Sequence, residues 1–126
     1  MIQWKLIPGF AEYEVSEHGD VRRGERLLKP ERVVGNGRKR FALSRDSRRF
    51  VFKAAQLVAL AFIGPKPFDG AEACHKDGFI HNNHFSNLRW DTHAGNSLDD
   101  LGHRNKLRSF VSTELRLKAE ANELLR

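Results

Sequence analysis

The chain holds 126 residues, enough for one domain with a core of its own, and 40% of them are apolar. No apolar run approaches the roughly 18 residues of a membrane span, and the N-terminus lacks a signal-peptide core. The single cysteine, Cys74, excludes an internal disulfide framework and a one-chain Cys₂ or Cys₄ zinc site, which points to a reducing cytoplasmic setting and no membrane. Lys and Arg number 22 against 16 Asp and Glu, a formal net charge of +6. The whole surplus lies between Arg38 and Lys53, where Arg38, Lys39, Arg40, Arg45, Arg48, Arg49 and Lys53 stand against Asp46 alone. A basic stripe on a neutral body is the footprint of a polyanion partner, with a plain solvated face as the alternative.

In chain order, Tyr13–Val15 and Val21–Arg22 flank Ser16–Asp20, a hairpin-like turn. Gly35-Asn36-Gly37 is a second turn signal. Residues 40–44 and 49–53 alternate around a polar turn at 45–48, placing Phe41, Leu43, Phe50 and Phe52 on one face. Arg40, Arg49 and Lys53 fall on the other, so the solvated face of this antiparallel pair is the basic one. That favours nucleic-acid contact. The apolar run from Ala54 to Ile63 predicts a buried helix stopped by Gly64 and Pro65.

Residues 73–96 concentrate the chemistry, with His75, His81, His84 and His93 alongside Asn82, Asn83, Asn87 and Asn96. The pattern predicts a strand ending at His75, a turn at Lys76-Asp77-Gly78 and a polar loop. A strand over 87–90 and a helix from about His93 to Leu101 follow, capped by Thr92 and stopped by Gly102. This ββα unit can gather a strand histidine, a loop asparagine and a helix side chain around one ion. Asp77 is expected to close its turn and Trp90 to pack the hairpin on the helix.

The run Cys74-His75-Lys76-Asp77-Gly78, Asn82-Asn83-His84, Asn87-Leu88-Arg89-Trp90, Thr92 and Asn96 resembles the ββα-metal site of HNH endonucleases, in particular the phage and intron-encoded homing branch. Residues 4–10, 13–16 and 19–21 resemble a short β-module that precedes this core in the same branch, and residues 57–63 its connecting helix. The resemblance implies an α+β fold: a basic antiparallel β-module over 1–53, a connecting helix and ββα-metal core over 54–105, and a C-terminal helix over 106–126.

It further implies catalysis by His75 as general base, for which an imidazole with an ordinary pKa near 6.5 is suited. Asn87 would accept from the His75 ring and orient it, and Asn96 would hold one divalent ion, Mg²⁺ or Mn²⁺. Where the family carries an aspartate or histidine ligand, this chain has Cys74. Three readings follow: Cys74 ligates Mn²⁺ or Zn²⁺; Asn96, water and substrate hold the ion alone; or the site is weakened. His93 is a further candidate ligand, against a solvated helix-terminus histidine. His84 and Arg89 join Arg38, Lys39, Arg40, Arg45, Arg48, Arg49 and Lys53 as candidate DNA contacts.

The implied function is hydrolysis of phosphodiester bonds in double-stranded DNA, in a bacterial or phage-infected cell. One site per chain implies nicking by a monomer or a double-strand break by a homodimer. The alternatives are a DNA-binding protein with a vestigial site, and a structural zinc module, which the adjacency of Cys74 and His75 disfavours.

Overall fold

The structure, a computed structural model, describes residues 1–31 and 38–97. The expected turn at Gly35–Gly37, the helix end at Leu101–Gly102 and the C-terminal helix over 106–126 lie outside the described residues. Four strands open the chain: β1 (Trp4–Ile7), β2 (Phe10–Ser16), β3 (Val21–Arg23) and β4 (Arg26–Leu27), paired in that order as an antiparallel sheet. Alternation along β2 sends Tyr13 and Val15 inward, and Val15 pairs with Val21 of β3. The turn expected at Ser16–Asp20 joins these two strands, and Ser16 Oγ accepts from the backbone N–H of Asp20 at 3.0 Å.

β5 (Arg40–Arg45) and β6 (Arg48–Lys53) form a hairpin with the expected register, Phe41 opposite Phe52 and Leu43 opposite Phe50. Asp46 and Ser47 both take positive φ, 53° and 61°, so the connection is a two-residue turn of the twist-matched I′ kind. Phe10 meets Phe50 and Phe52 edge-on, each at 5.4 Å between ring centres. The Tyr13 hydroxyl accepts from the Ser44 backbone N–H at 3.0 Å, fastening β5 to the sheet.

The apolar run from Ala54 is helical as α1 (Ala54–Val58) and then widens into a π-helical turn over Ala59–Ile63. The Gly64 N–H reaches back five residues to the Ala59 carbonyl at 3.0 Å. Gly64 sits at φ 142°, where a side chain would be strained, and so ends the helix as the sequence predicts. The Trp90 indole N–H donates to the Gly64 carbonyl at 2.9 Å, so the hairpin packs on the end of this helix.

β7 (Glu72–His75) and β8 (Leu88–Asp91) form the last hairpin, with a 3₁₀ turn at Phe85–Asn87 and a helical turn over 93–97. Strand, loop, strand and helix reproduce the ββα order. One apolar cluster runs through the whole: Ile7, Val15 and Val21 from the sheet, Phe41 and Leu43 from β5, Leu57 and Val58 from α1, and Leu88 from β8. The hairpin bearing His75 is therefore seated on the same core as the N-terminal strands.

Candidate active site

Pairing in the last hairpin sets Glu72 against Asp91, Ala73 against Trp90, Cys74 against Arg89 and His75 against Leu88. Because strand side chains alternate, His75 shares its face with Ala73, Trp90 and Leu88, while Cys74 shares the other with Glu72, Arg89 and Asp91. His75 is buried, with 4% exposure, and Cys74 is fully buried. The Cys74 thiol donates to the Glu72 carbonyl at 3.4 Å.

The loop between the strands is closed by Asp77 and Asn87. Asn87 Oδ1 accepts from the Asp77 N–H at 3.2 Å, while its Nδ2 donates to Asp77 Oδ1 and to the Asn82 carbonyl, each at 2.9 Å. Asp77 also accepts from the Phe79 N–H at 2.8 Å and from Asn82 Nδ2 at 3.0 Å. Burial opposes ionisation of Asp77, but the hydrogen bonds from Asn82, Phe79 and Asn87 prevail and hold its carboxyl below the usual 3.8.

The His75 ring is engaged by a different asparagine from the one expected. Nε2 of His75 lies 2.8 Å from Oδ1 of Asn83, which is buried with 6% exposure. The resemblance assigns that role to Asn87, whose amide is spent on the loop clasp instead. The geometric reason is direction: Asn87 sits at the end of the 3₁₀ turn facing Asp77, whereas Asn83 is pressed inward against the turn after β2. A Cβ built on Gly19 (φ 95°) would lie 3.1 Å from the Asn83 Cβ and 3.4 Å from the Ala54 Cβ. Only a glycine lets the loop come this close.

At the helical turn, the Thr92 hydroxyl accepts from the Gly95 N–H at 3.1 Å, the cap foreseen from sequence. The turn brings Asn96 and His93 onto Glu72: Asn96 Nδ2 donates to Glu72 Oε2 at 2.8 Å, and His93 Nδ1 lies 3.0 Å from Oε1. The Asn96 bond, with help from His93 and Lys53, holds the Glu72 carboxyl below the ordinary 4.5. Arg89 Nε donates to Asp91 Oδ2 at 3.1 Å, so this candidate DNA contact is engaged within its own hairpin.

A groove of about 290 Å³ is lined by Glu72, His75, Asn83 and Asn96 together with Arg38, Lys39, Lys53 and Lys66. Cys74, Asn87 and His93 do not form its wall. The basic stripe is thus divided. Arg40 and Arg48 are exposed. Arg49 pairs with Glu31. Arg45 lies over Phe10 and Phe50, 4.6 and 5.2 Å from the ring centres, and donates to the Gly9 carbonyl at 2.6 Å. It lies there because Arg45 alternates onto the Phe41–Leu43 face of β5. His84 stands beside Glu17 and His18, with Nε2 3.6 Å from Glu17 Oε2. Asn83, Glu72 and Lys66 were not singled out from sequence. Asn83 was visible only as the middle of Asn82-Asn83-His84.

Strand, clasped loop, strand and capped helix make an α+β fold whose last part is a ββα core of HNH type, with histidine and asparagine side chains at its groove. Known proteins agree with this. The solved structure of the HNH homing endonuclease I-HmuI, described in its DNA binding and cleavage, superimposes with a TM-score of 0.67 at 28% identity, covering 88% of this chain and 66% of that one. An uncharacterised HNH endonuclease of Acanthamoeba polyphaga mimivirus is 35% identical over 98 residues, 75% of this chain and 28% of that protein. No family model matches. The chain resembles the HNH endonuclease family in both sequence and fold, while spanning less than a third of the mimivirus protein's length.

Proposed function

We propose that this chain is a metal-dependent HNH endonuclease of the homing type that hydrolyses phosphodiester bonds in double-stranded DNA. The observation that carries the reading is the single groove lined by His75, Asn83, Asn96 and Glu72 together with Arg38, Lys39, Lys53 and Lys66. His75 is the general base. With Nε2 donating to Asn83 Oδ1, the neutral ring keeps its lone pair on Nδ1, the nitrogen that takes the proton from the attacking water. Asn87 acts at one remove, by fixing the loop that carries Asn83. The basic side chains that line the same groove hold phosphates, the sequence-independent part of DNA binding.

Asn96 and Glu72 offer an amide and a carboxylate, hard oxygen donors that suit Mg²⁺ or Mn²⁺. His93 lies on Glu72 and Cys74 is buried on the same face of the hairpin as Glu72, and these are the groups that would favour Zn²⁺. The ion, when bound, stabilises charge on the scissile phosphate and the leaving oxygen. The resemblance implies 3′-hydroxyl and 5′-phosphate ends.

Nicking of supercoiled plasmid with Mg²⁺, Mn²⁺, Zn²⁺ or EDTA tests this reading. Conversion should require the ion and should fall ~10²–10⁴-fold in His75→Ala, with DNA affinity within a few-fold of wild type. DNA binding without cleavage under any ion would instead identify a non-catalytic DNA-binding protein.

A further inference from the structure

A second cluster of ligating side chains lies away from the groove, where the turn after β2 meets the loop before the 3₁₀ turn. Glu17, His18 and His84 bring one carboxylate and two imidazoles together, with their ligating atoms all within 4.8 Å of one another. His18 Nε2 is 3.8 Å from Glu17 Oε1, and His84 Nε2 is 3.6 Å from Glu17 Oε2. Ligand atoms about 2.0–2.2 Å from a tetrahedral zinc stand roughly 3.4 Å apart, and each imidazole already stands close to that distance from one of the two Glu17 oxygens.

The backbone on both sides is fixed. Glu17 N–H donates to the Gln3 carbonyl at 3.0 Å, and the Phe85 N–H donates to the Glu17 carbonyl at 3.2 Å. His84 stacks on Phe85 at 4.5 Å, and Phe85 in turn stacks on Phe62 at 5.3 Å. His84 Nδ1 lies 2.8 Å from Ser86 Oγ. The Ser86 backbone N–H donates to the same Nδ1 at 3.2 Å, which holds the ring with Nε2 turned toward Glu17. His18 is exposed, so its ring is free to swing toward the ion.

We propose that Glu17, His18 and His84 form a binding site for a transition dication, Zn²⁺ above all, separate from the groove of His75. Two imidazoles and a carboxylate are a zinc donor set, with a fourth position left to water, and they suit Mg²⁺ poorly. The ion would join the N-terminal sheet to the nuclease loop. The ligands His18 and His84 adjoin Gly19 and Asn83, a pair in close contact, and Asn83 in turn meets the His75 ring. Metal binding reads the site directly, whether or not the groove cleaves DNA.

Chelator-stripped protein is titrated with Zn²⁺ against a chromogenic chelator, and with Co²⁺ for its visible absorption. Wild type should take up one Zn²⁺ that is weakened at least ~10-fold in His18→Ala and in Glu17→Gln, and that persists in Cys74→Ser with His93→Ala. The unfolding midpoint should rise with Zn²⁺ in wild type and not in His18→Ala. Zn²⁺ affinity unchanged in His18→Ala, or abolished only by replacing Cys74 and His93, overturns the site. Since His18 is exposed and its removal leaves the core intact, circular dichroism of that variant without metal should match wild type.

Discussion

Nε2 of His75 and Oδ1 of Asn83 stand 2.8 Å apart, both residues buried, so a loop amide fixes the ring of the candidate base. Such a contact does two things. It holds the imidazole plane, and it selects the tautomer whose Nδ1 is basic. Its geometry depends on Gly19, which allows the turn after β2 to press directly on Asn83.

Asn83→Ala should lower plasmid nicking by ~10–100-fold while leaving DNA affinity within a few-fold. Asn83→Asp gives the sharper readout. A carboxylate against Nε2 favours the imidazolium, so the acid limb of the pH–rate profile should move to higher pH. An unmoved limb would show that Asn83 does not touch the base in solution.

Gly19→Ala should destabilise the fold by about 1–2 kcal/mol, since φ 95° disfavours any Cβ and the new methyl meets Asn83. Urea denaturation measures it. Nicking at a temperature where the variant is folded should also fall, because the displaced Asn83 no longer aligns His75.

The fold was largely legible because its signals are local. Alternation in residues 40–53 fixes the β5–β6 faces, and Thr92 marks the helix start. The loop was not. Asn82, Asn83 and Asn87 are the same residue type within six positions, and only the three-dimensional path decides that Asn87 turns to Asp77 while Asn83 turns to His75. The same holds for Arg45 and Arg49, which composition counts as free positive charge but geometry commits to Phe10 and Glu31. Glu72 escaped notice because nothing in its neighbours signals that a residue 24 positions later will fold back onto it.

Asp77 makes the loop clasp pH-dependent. Its folded pKa lies below the ordinary 3.8, so its contribution is complete above that value and disappears as pH falls through the lower, folded one. The stability gap between wild type and Asp77→Asn should therefore be full at pH 6 and close as the pH drops well below 3.8. Denaturant midpoints across that range check it, and a gap independent of pH would remove the role of the charge.

The divided stripe yields contrasting variants. Replacing Arg38, Lys39 and Lys53 together with Ala should weaken binding to any DNA sequence and flatten the dependence of log K on log salt by about 0.9 for each phosphate that is no longer neutralised. Arg45→Ala should leave that slope alone and instead cost roughly 1 kcal/mol of stability, because its guanidinium no longer covers the two rings. If Arg45→Ala changes the slope as the triple variant does, its guanidinium reaches DNA.

Leu88 buries its side chain in a cluster that also contains Val15, Val21 and Phe41, and that has a consequence for portability. A graft of residues 72–97 onto a foreign scaffold would carry His75 and Asn83 but leave behind both the wall under Leu88 and the glycine against Asn83. The smallest transplantable piece must include the turn after β2, whatever its sequence distance from the ligands. Chimaeras joined between Lys53 and Ala54 should succeed only when the donor strands bring a glycine to that turn.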